Sequence, residues 1–290
     1  MTESQALIIN IETLKTLLTD SALWKDSTAI TKVVIVAGSE ATFGPSLLAT
    51  RAAARTGTRD ISLALPQELT AHAAVQFPEA TIISLAGSST GASLGGVDTT
   101  GLANSIHSGM VALQWGADPV NPLAELPNVP SRRVLVQRES SATAGATVLL
   151  LGVGQSDERP VQERTSELQQ LATDGGTVVI DLRGETLVVA PDGRTYTNAP
   201  DEHNLAKAGG AAVLAGAVAS LLAQGADAVE AAVLAVHLHA MATDAAAKEI
   251  GERSILGRDV AERLAGALRF AERSFGPRKE ETRSGLRRSA

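Results

Sequence analysis

The sequence contains no cysteine and very few aromatic residues. The lack of cysteine excludes disulfide bonds and thiolate zinc sites. Because only 2% of the 290 residues are Phe, Trp or Tyr, the apolar core has to be built from Ala, Val, Leu and Ile. Such a composition suits tight packing of helices on a sheet.

An excess of basic charge is also lacking, since 32 Asp and Glu residues outnumber 25 Lys and Arg residues. The formal net charge of −7 at pH 7 gives no reason to expect a nucleic-acid partner. The longest apolar stretches are interrupted by Gly, Gln or Asp before they reach the length of a membrane span. The first residues lack the basic segment and apolar run of a signal peptide. We therefore expect a cytoplasmic protein that does not associate with membranes.

Apolar runs alternate with helical periodicity along nearly the whole chain, which is typical of parallel βα units. The predicted strands are Val33–Ala37, Ile61–Leu65, Thr81–Leu85, Met110–Trp115, Val134–Val136, Val178–Ile180 and Leu187–Ala190. The predicted helices are Ile11–Leu18, Pro45–Arg55, Thr99–His107, Pro160–Thr173, Val213–Gln224, Val229–Ala247 and Gly257–Phe270. We expect one α/β domain over residues 1–276, followed by a mobile, mildly basic tail at 277–290.

A glycine-rich turn precedes one of these helices, where residues 209–216 read GGAAVLAG. The exposed N–H groups at the start of a helix can hold a phosphoryl group. Gly209 and Gly210 are therefore candidates for binding a phosphate. The alternative is that the two glycines only allow the chain to enter the helix.

Residues 205–244, LAKAGGAAVLAGAVASLLAQGADAVEAAVLAVHLHAMATD, closely resemble the ADP/ATP-dependent NAD(P)H-hydrate dehydratase family, a ribokinase-like group. Weaker matches follow the family's order elsewhere: VVIVAGSEATFGP (33–45), GASLGGVD (91–98), GADPVN (116–121), SATAGATVLLLG (141–152) and DLRGET (181–186). Together they make chance similarity implausible. The resemblance implies a ribokinase-like α/β fold, with a mostly parallel central sheet flanked by helices.

The departures from the family pattern are concentrated in the motifs that carry its chemistry. The family's general-base Asp falls on Ala212, and a methyl group cannot accept a proton. The family's Lys-Gly pair falls on Arg183 and Gly184. Motifs such as AGS, LLG, PDGR and VLAG survive. This distribution predicts a retained fold whose chemistry has been lost.

The resemblance also implies ligands and site residues. It implies ADP or ATP with Mg²⁺ as cofactor and hydrated NAD(P)H as substrate. The nucleotide-binding candidates are Arg183, Gly184, Gly209 and Gly210, and the substrate-binding candidates are Gly44 and Asn121. No catalytic residue and no metal ligand is predicted. Arg183 could instead be a solvated surface residue.

Three functions remain open. The chain could be a catalytically impaired dehydratase of nicotinamide cofactor repair. It could be a non-catalytic pseudoenzyme that binds a nucleotide or regulates a partner, as a homo-oligomer or together with an active paralogue. It could be a small-molecule kinase on the same fold, but that activity also needs the missing Asp.

Three local expectations can be compared with a structure. Residues Ala146–Leu151 read locally as a buried strand, whereas the resemblance implies a short helix, and we expect the helix. Pro45 is expected in the first turn of its helix. His237 and His239 are two residues apart in a helix, so they point to different faces and cannot share a metal ion.

Overall fold

Ten strands form one continuous sheet in the computed structural model, which describes residues 6–24, 31–37, 39–85, 100–106, 110–115, 123, 130–138, 145–153, 155–198 and 208–276. The strands are β1 (Leu7–Ile8), β2 (Lys32–Val36), β3 (Asp60–Pro66), β4 (Thr81–Leu85), β5 (Val111–Trp115), β6 (Arg132–Val136), β7 (Val148–Leu151), β8 (Val178–Asp181), β9 (Leu187–Val189) and β10 (Thr195–Thr197). Their order is β1-β10-β9-β8-β7-β6-β5-β2-β3-β4. Strands β2 to β8 run parallel, whereas β9 is antiparallel to both of its neighbours.

Helices cover both faces of this sheet. They are α1 (Ile11–Leu18), α2 (Glu40–Arg55), α3 (Thr70–Gln76), α4 (Thr100–Ser105), α5 (Val161–Gly175), α6 (Gly210–Ala223), α7 (Ala228–Ile250) and α8 (Gly257–Phe275). All seven predicted helices are present: α1 has the predicted bounds, the other six have shifted ends, and α3 was not predicted. Within the described ranges, none of the helices is both long enough and apolar enough to cross a bilayer.

Strand β7 corrects the prediction of a helix at Ala146–Leu151. Its side chains are all buried, and they alternate between the two faces of the sheet. Leu149 and Leu151 pack with α5, whereas Val148 and Leu150 join the main core on the other face. A strand between two parallel neighbours needs apolar residues on both faces. The local pattern was therefore right, and the family resemblance was misleading at this segment.

Helix α2 corrects the expectation for Pro45. The helix begins at Glu40, after a capping box formed by Ser39 and Thr42, so Pro45 is its sixth residue rather than a member of its first turn. Proline lacks an N–H and cannot bond to the carbonyl group four residues earlier. The side chains of Ser39 and Thr42 determine the start of the helix instead.

The order in which successive strands are added to the sheet reverses between β2 and β5. From β2 the chain moves outward to β3 and β4, and then returns to β5 on the other side of β2. Helix α2 packs into the main core on one face, whereas Leu102 of α4 packs on the opposite face. In open α/β sheets, ligands bind at the carboxyl ends of the strands at such a switch point.

Helix α6 lies in the centre of the main core. Twelve of its 14 residues are buried, as expected for a helix that is apolar on all sides. Its close approach to α2 depends on Gly216, where an added Cβ would lie 2.2 Å from the backbone oxygen of Ala49. The position of α6 against α2, and so of its N-terminus, is therefore fixed by direct backbone contact.

Candidate functional site

The glycine turn at the start of α6 is tightly enclosed. Gly209 adopts φ +83°, in the left-handed region. A Cβ there would lie 2.5 Å from Cδ1 of Leu48 and 3.6 Å from Cα of Gly257. Gly257, the first residue of α8, also donates its N–H to the carbonyl oxygen of Ala208 at 2.9 Å. The backbone conformation therefore favours glycine at position 209, and a side chain there would also displace Leu48.

The first turn of α6 presents backbone donors. Val213 donates its N–H to the carbonyl oxygen of Gly209 at 3.2 Å, which leaves the three preceding amides without an intrahelical acceptor. The N–H groups of Gly210, Ala211 and Ala212, together with the helix dipole, favour an anion at this position. This geometry is compatible with the predicted phosphate contact of Gly209 and Gly210.

The structure brings Gly44 to the same region. Gly44 lies in α2, one helical turn before the Leu48 side chain that contacts Gly209. Because α2 follows β2 directly, both glycines lie at the carboxyl edge of the parallel strands. The other substrate-side candidate, Asn121, lies outside the described residues, as do Gly91–Asp98 and the tail.

Ala212 occupies the third position of α6 and is 5% exposed. The first turn of α6 has no acidic residue. Asp259 lies in the first turn of the neighbouring α8, but its carboxylate accepts the N–H of Leu256 at 2.9 Å and caps its own helix. The turn therefore has phosphate donors but, among the residues described, no carboxylate committed to it.

His239 attaches α7 to this turn. Its Nε2 lies 3.2 Å from the carbonyl oxygen of Gly210, and since a carbonyl group only accepts, Nε2 is the protonated nitrogen. Burial lowers the pKa of His239 to about 4, although the bond to Gly210 opposes that shift. The ring is therefore neutral at pH 7. It acts as a structural link between α6 and α7.

His237 is buried, and neither ring nitrogen has a hydrogen-bond partner within the described ranges. Burial alone lowers its pKa. Across the described part of the chain, no three His, Asp or Glu side chains are close enough to hold a metal ion together.

Arg183 is held by carboxylates rather than exposed to solvent. Its Nε donates to Oδ1 of Asp181 at 2.7 Å, and its Nη1 lies 3.6 Å from both Asp157 and Glu167. Burial lowers its pKa, but the bond to Asp181 and the nearby carboxylates outweigh burial and raise that pKa overall. The guanidinium is therefore fully charged, and its Nε and Nη1 are paired with carboxylates.

Asp181 is the centre of this network. Its side chain is 0% exposed, and its Oδ2 accepts a hydrogen bond at 3.0 Å from Nη1 of Arg164. The side chain of Arg164 is itself only 2% exposed. The stem of Arg183 lies across Gly152, where a Cβ would be 2.1 Å from its Cγ. Gly184 packs beside Arg164. Any phosphate that approached Arg183 would have to compete with Asp181, Asp157 and Glu167 for Nε and Nη1, whereas Nη2 has no partner among the residues that the structure describes.

Sequence reasoning missed two buried glutamines at the carboxyl ends of neighbouring strands. Gln114 in β5 is 8% exposed and Gln137, which follows β6, is 9% exposed. Among the residues that the structure describes, the buried side-chain oxygen of each has no hydrogen-bond partner. The available signal was a single polar residue near the end of an apolar strand, in VALQW and RVLVQ.

The comparisons with known proteins agree with this architecture. Residues 150–265, which extend from within β7 into α8, match the model of the family described as NAD(P)H-hydrate dehydratase. The family resemblance is confirmed. The matched range includes Arg183, the glycine turn and Ala212. No curated protein matches the sequence.

Solved structures extend the similarity in fold to nearly the whole chain. The ADP/ATP-dependent NAD(P)H-hydrate dehydratase of Bacillus subtilis, crystallised with ATP and Mg²⁺, has a TM-score of 0.70 at 17% identity, covering 92% of this chain and 99% of the other. A ribokinase-like superfamily protein of Enterococcus faecalis has a TM-score of 0.68 at 15% identity, covering 94% and 97%. YxkO of Bacillus subtilis has a TM-score of 0.68 at 17% identity, covering 92% and 99%. The predicted ribokinase-like α/β fold is confirmed.

Proposed function

We propose that the chain is a dehydratase-like protein of nicotinamide cofactor repair that binds ADP or ATP and is catalytically impaired. The observation that carries this proposal is Ala212, a buried methyl group in the anion-binding turn of α6. A general base contributes roughly 10²–10⁴-fold to the rate of a proton-transfer reaction. Turnover of hydrated NAD(P)H should therefore be close to background.

Nucleotide binding is assigned to the glycine turn. The N–H groups of Gly210, Ala211 and Ala212 need no side chain to hold a phosphate. The dehydratase of Bacillus subtilis with a similar fold was crystallised with ATP and Mg²⁺. A Mg²⁺ ion is commonly held by phosphate oxygens, water and one or two carboxylates, so the turn fits a nucleotide more directly than a free metal ion. Arg183 and Gly184 remain proposed contacts of the same nucleotide.

The test combines binding with turnover. With ADP or ATP and Mg²⁺, we expect thermal stabilisation that grows with nucleotide concentration, by about 2.7 kcal/mol at 100 times Kd. Dehydration of hydrated NADH should stay near background. Arg183→Ala should reduce the thermal shift if Arg183 exchanges Asp181 for a phosphate. Arg194→Ala, which removes an exposed Arg194–Asp192 pair on the β9–β10 hairpin, is the matched control.

Two outcomes would contradict the proposal. Turnover at the rate of an active dehydratase would mean that another residue supplies the base. The absence of both heat and thermal shift at millimolar nucleotide would instead favour a non-binding protein that acts through its surface. Ala212→Asp should restore the rate only in part, because the family's Lys-Gly pair is also changed, to Arg183 and Gly184.

A further inference from the structure

We propose that Gln114 and Gln137 form a subsite for the hydrated dihydronicotinamide ring, recognising its carboxamide and its added hydroxyl group. This inference rests on the proposed function and names the part of the cleft that would hold the substrate ring. The two glutamines do not fall on any of the family motifs identified in the sequence.

The two amides lie side by side at one edge of the sheet. Gln114 is in register with Leu135 of β6, and Gln137 follows Leu135 by two residues. The N–H of Gln137 continues the ladder by donating to the carbonyl oxygen of Leu150 at 2.9 Å. Residues in register, or two apart, point to the same face. The Cα atoms of Gln114 and Gln137 are therefore about 8 Å apart, with both side chains on one face.

The position of Gln114 is the topological switch point. Gln114 is also in register with Val36 at the carboxyl end of β2, and the sheet changes direction between β2 and β5. General experience with open α/β sheets places the ligand crevice there. The pair therefore lies where a ligand is expected on grounds independent of the amides themselves.

The chemistry of the pair specifies the ligand group. Each side-chain oxygen is buried and receives no hydrogen bond from the described part of the chain, and a buried, unsatisfied acceptor costs about 1–3 kcal/mol. Each amide also has N–H donors. The missing partner must therefore donate N–H or O–H groups to these oxygens, and it can also accept hydrogen bonds from the amide N–H groups. A carboxamide pairs reciprocally with a glutamine amide, and the hydroxyl added by hydration is a second donor.

The pair is separate from the phosphate turn but shares its edge. Trp115, the next residue after Gln114, packs into the main core together with α6. Gln114 points to the opposite face, where Ala112 and Val36 pack. The proposed ring subsite therefore lies on one face of the carboxyl edge, and the turn proposed to hold the phosphates of ADP or ATP lies on the other. Ring recognition and phosphate binding can then be perturbed independently.

The variants Gln114→Met and Gln137→Met test this assignment, because methionine keeps the length and removes the amide. Each should weaken binding of hydrated NADH about fivefold in calorimetry and leave binding of ADP unchanged. The melting temperature of the free protein should hold or rise, since a buried oxygen without a partner is removed. Gln162→Met, on the exposed surface of α5, should change nothing.

Wild-type protein with a modified ligand gives the same test without substitution. A hydrated NADH analogue with an acetyl group in place of the carboxamide has no N–H donors there, and it should bind about fivefold more weakly than hydrated NADH. Either of two results would refute the subsite and leave the proposed function standing. In the first, wild-type protein binds the two ligands equally well. In the second, ADP binds and neither variant changes the affinity for hydrated NADH. A lower melting temperature with unchanged affinity would show that the amides are structural. If wild-type protein binds neither ligand, the proposed function and the subsite both fail.

Discussion

Acidification should destabilise the protein through His239. In the folded chain its pKa is about 4, whereas an unfolded histidine has a pKa near 6.5. Between these values the unfolded state binds more protons, so the free energy of unfolding falls as the pH falls. The full difference of 2.5 pKa units corresponds to roughly 3 kcal/mol, of which about 2 kcal/mol is lost by pH 5. Above pH 6.5 the effect disappears.

Urea denaturation of wild-type and His239→Gln protein between pH 7.5 and pH 4.5 measures this contribution. Glutamine keeps an N–H donor for the carbonyl oxygen of Gly210 and does not titrate. The wild-type protein should lose about 2 kcal/mol more than the variant between pH 7.5 and pH 5. Other groups, including His237, titrate in both proteins, so their contributions to the pH dependence of stability cancel in the comparison. Parallel pH profiles for the two proteins would refute the reasoning.

Two further changes test the packing and the charge network around the candidate site. Gly216→Ala should destabilise the chain by about 1–3 kcal/mol, because its Cβ would meet the backbone of Ala49; Gly266→Ala in α8, where a Cβ meets nothing within 4 Å, is the control and should be neutral or stabilising in thermal melts. Asp181→Asn should cost about 3–5 kcal/mol in chemical denaturation because it leaves the charge of Arg164 buried without its ion pair, whereas Asp192→Asn at the exposed pair with Arg194 should change stability by less than about 1 kcal/mol. Equal effects within either pair would contradict the structural roles assigned to Gly216 and Asp181.

The parallel strands and the helices between them could be predicted from the sequence, because buried parallel strands are continuous apolar runs and the helices have amphipathic periodicity. Strand β4 was predicted at its observed bounds, Thr81–Leu85. The start of α2 was missed because the capping pair Ser39 and Thr42 is a weaker signal than a proline. Strand β7 was missed because the family pattern was preferred to the local run of buried residues.

The candidate site was only partly accessible from the sequence. The glycine turn could be found because its glycines satisfy local backbone requirements. The pairing of Arg183 could not be found from the sequence. Asp181 is close to it in sequence, but Asp157 in the loop before α5 and Glu167 in α5 contact the same guanidinium only in the folded structure. The two glutamines become noticeable only when the register of β5 and β6 places them together.

The contact between Gly209 and Gly257 has a consequence for how the protein matures on the ribosome. Residues from α8, near the end of the chain, close one side of the turn at the start of α6. During synthesis, most of the sheet emerges well before this contact can form, and domains fold as their segments become available. The glycine turn at the start of α6 is therefore completed last, so nascent chains that stop before residue 257 should form much of the sheet without acquiring the closed turn.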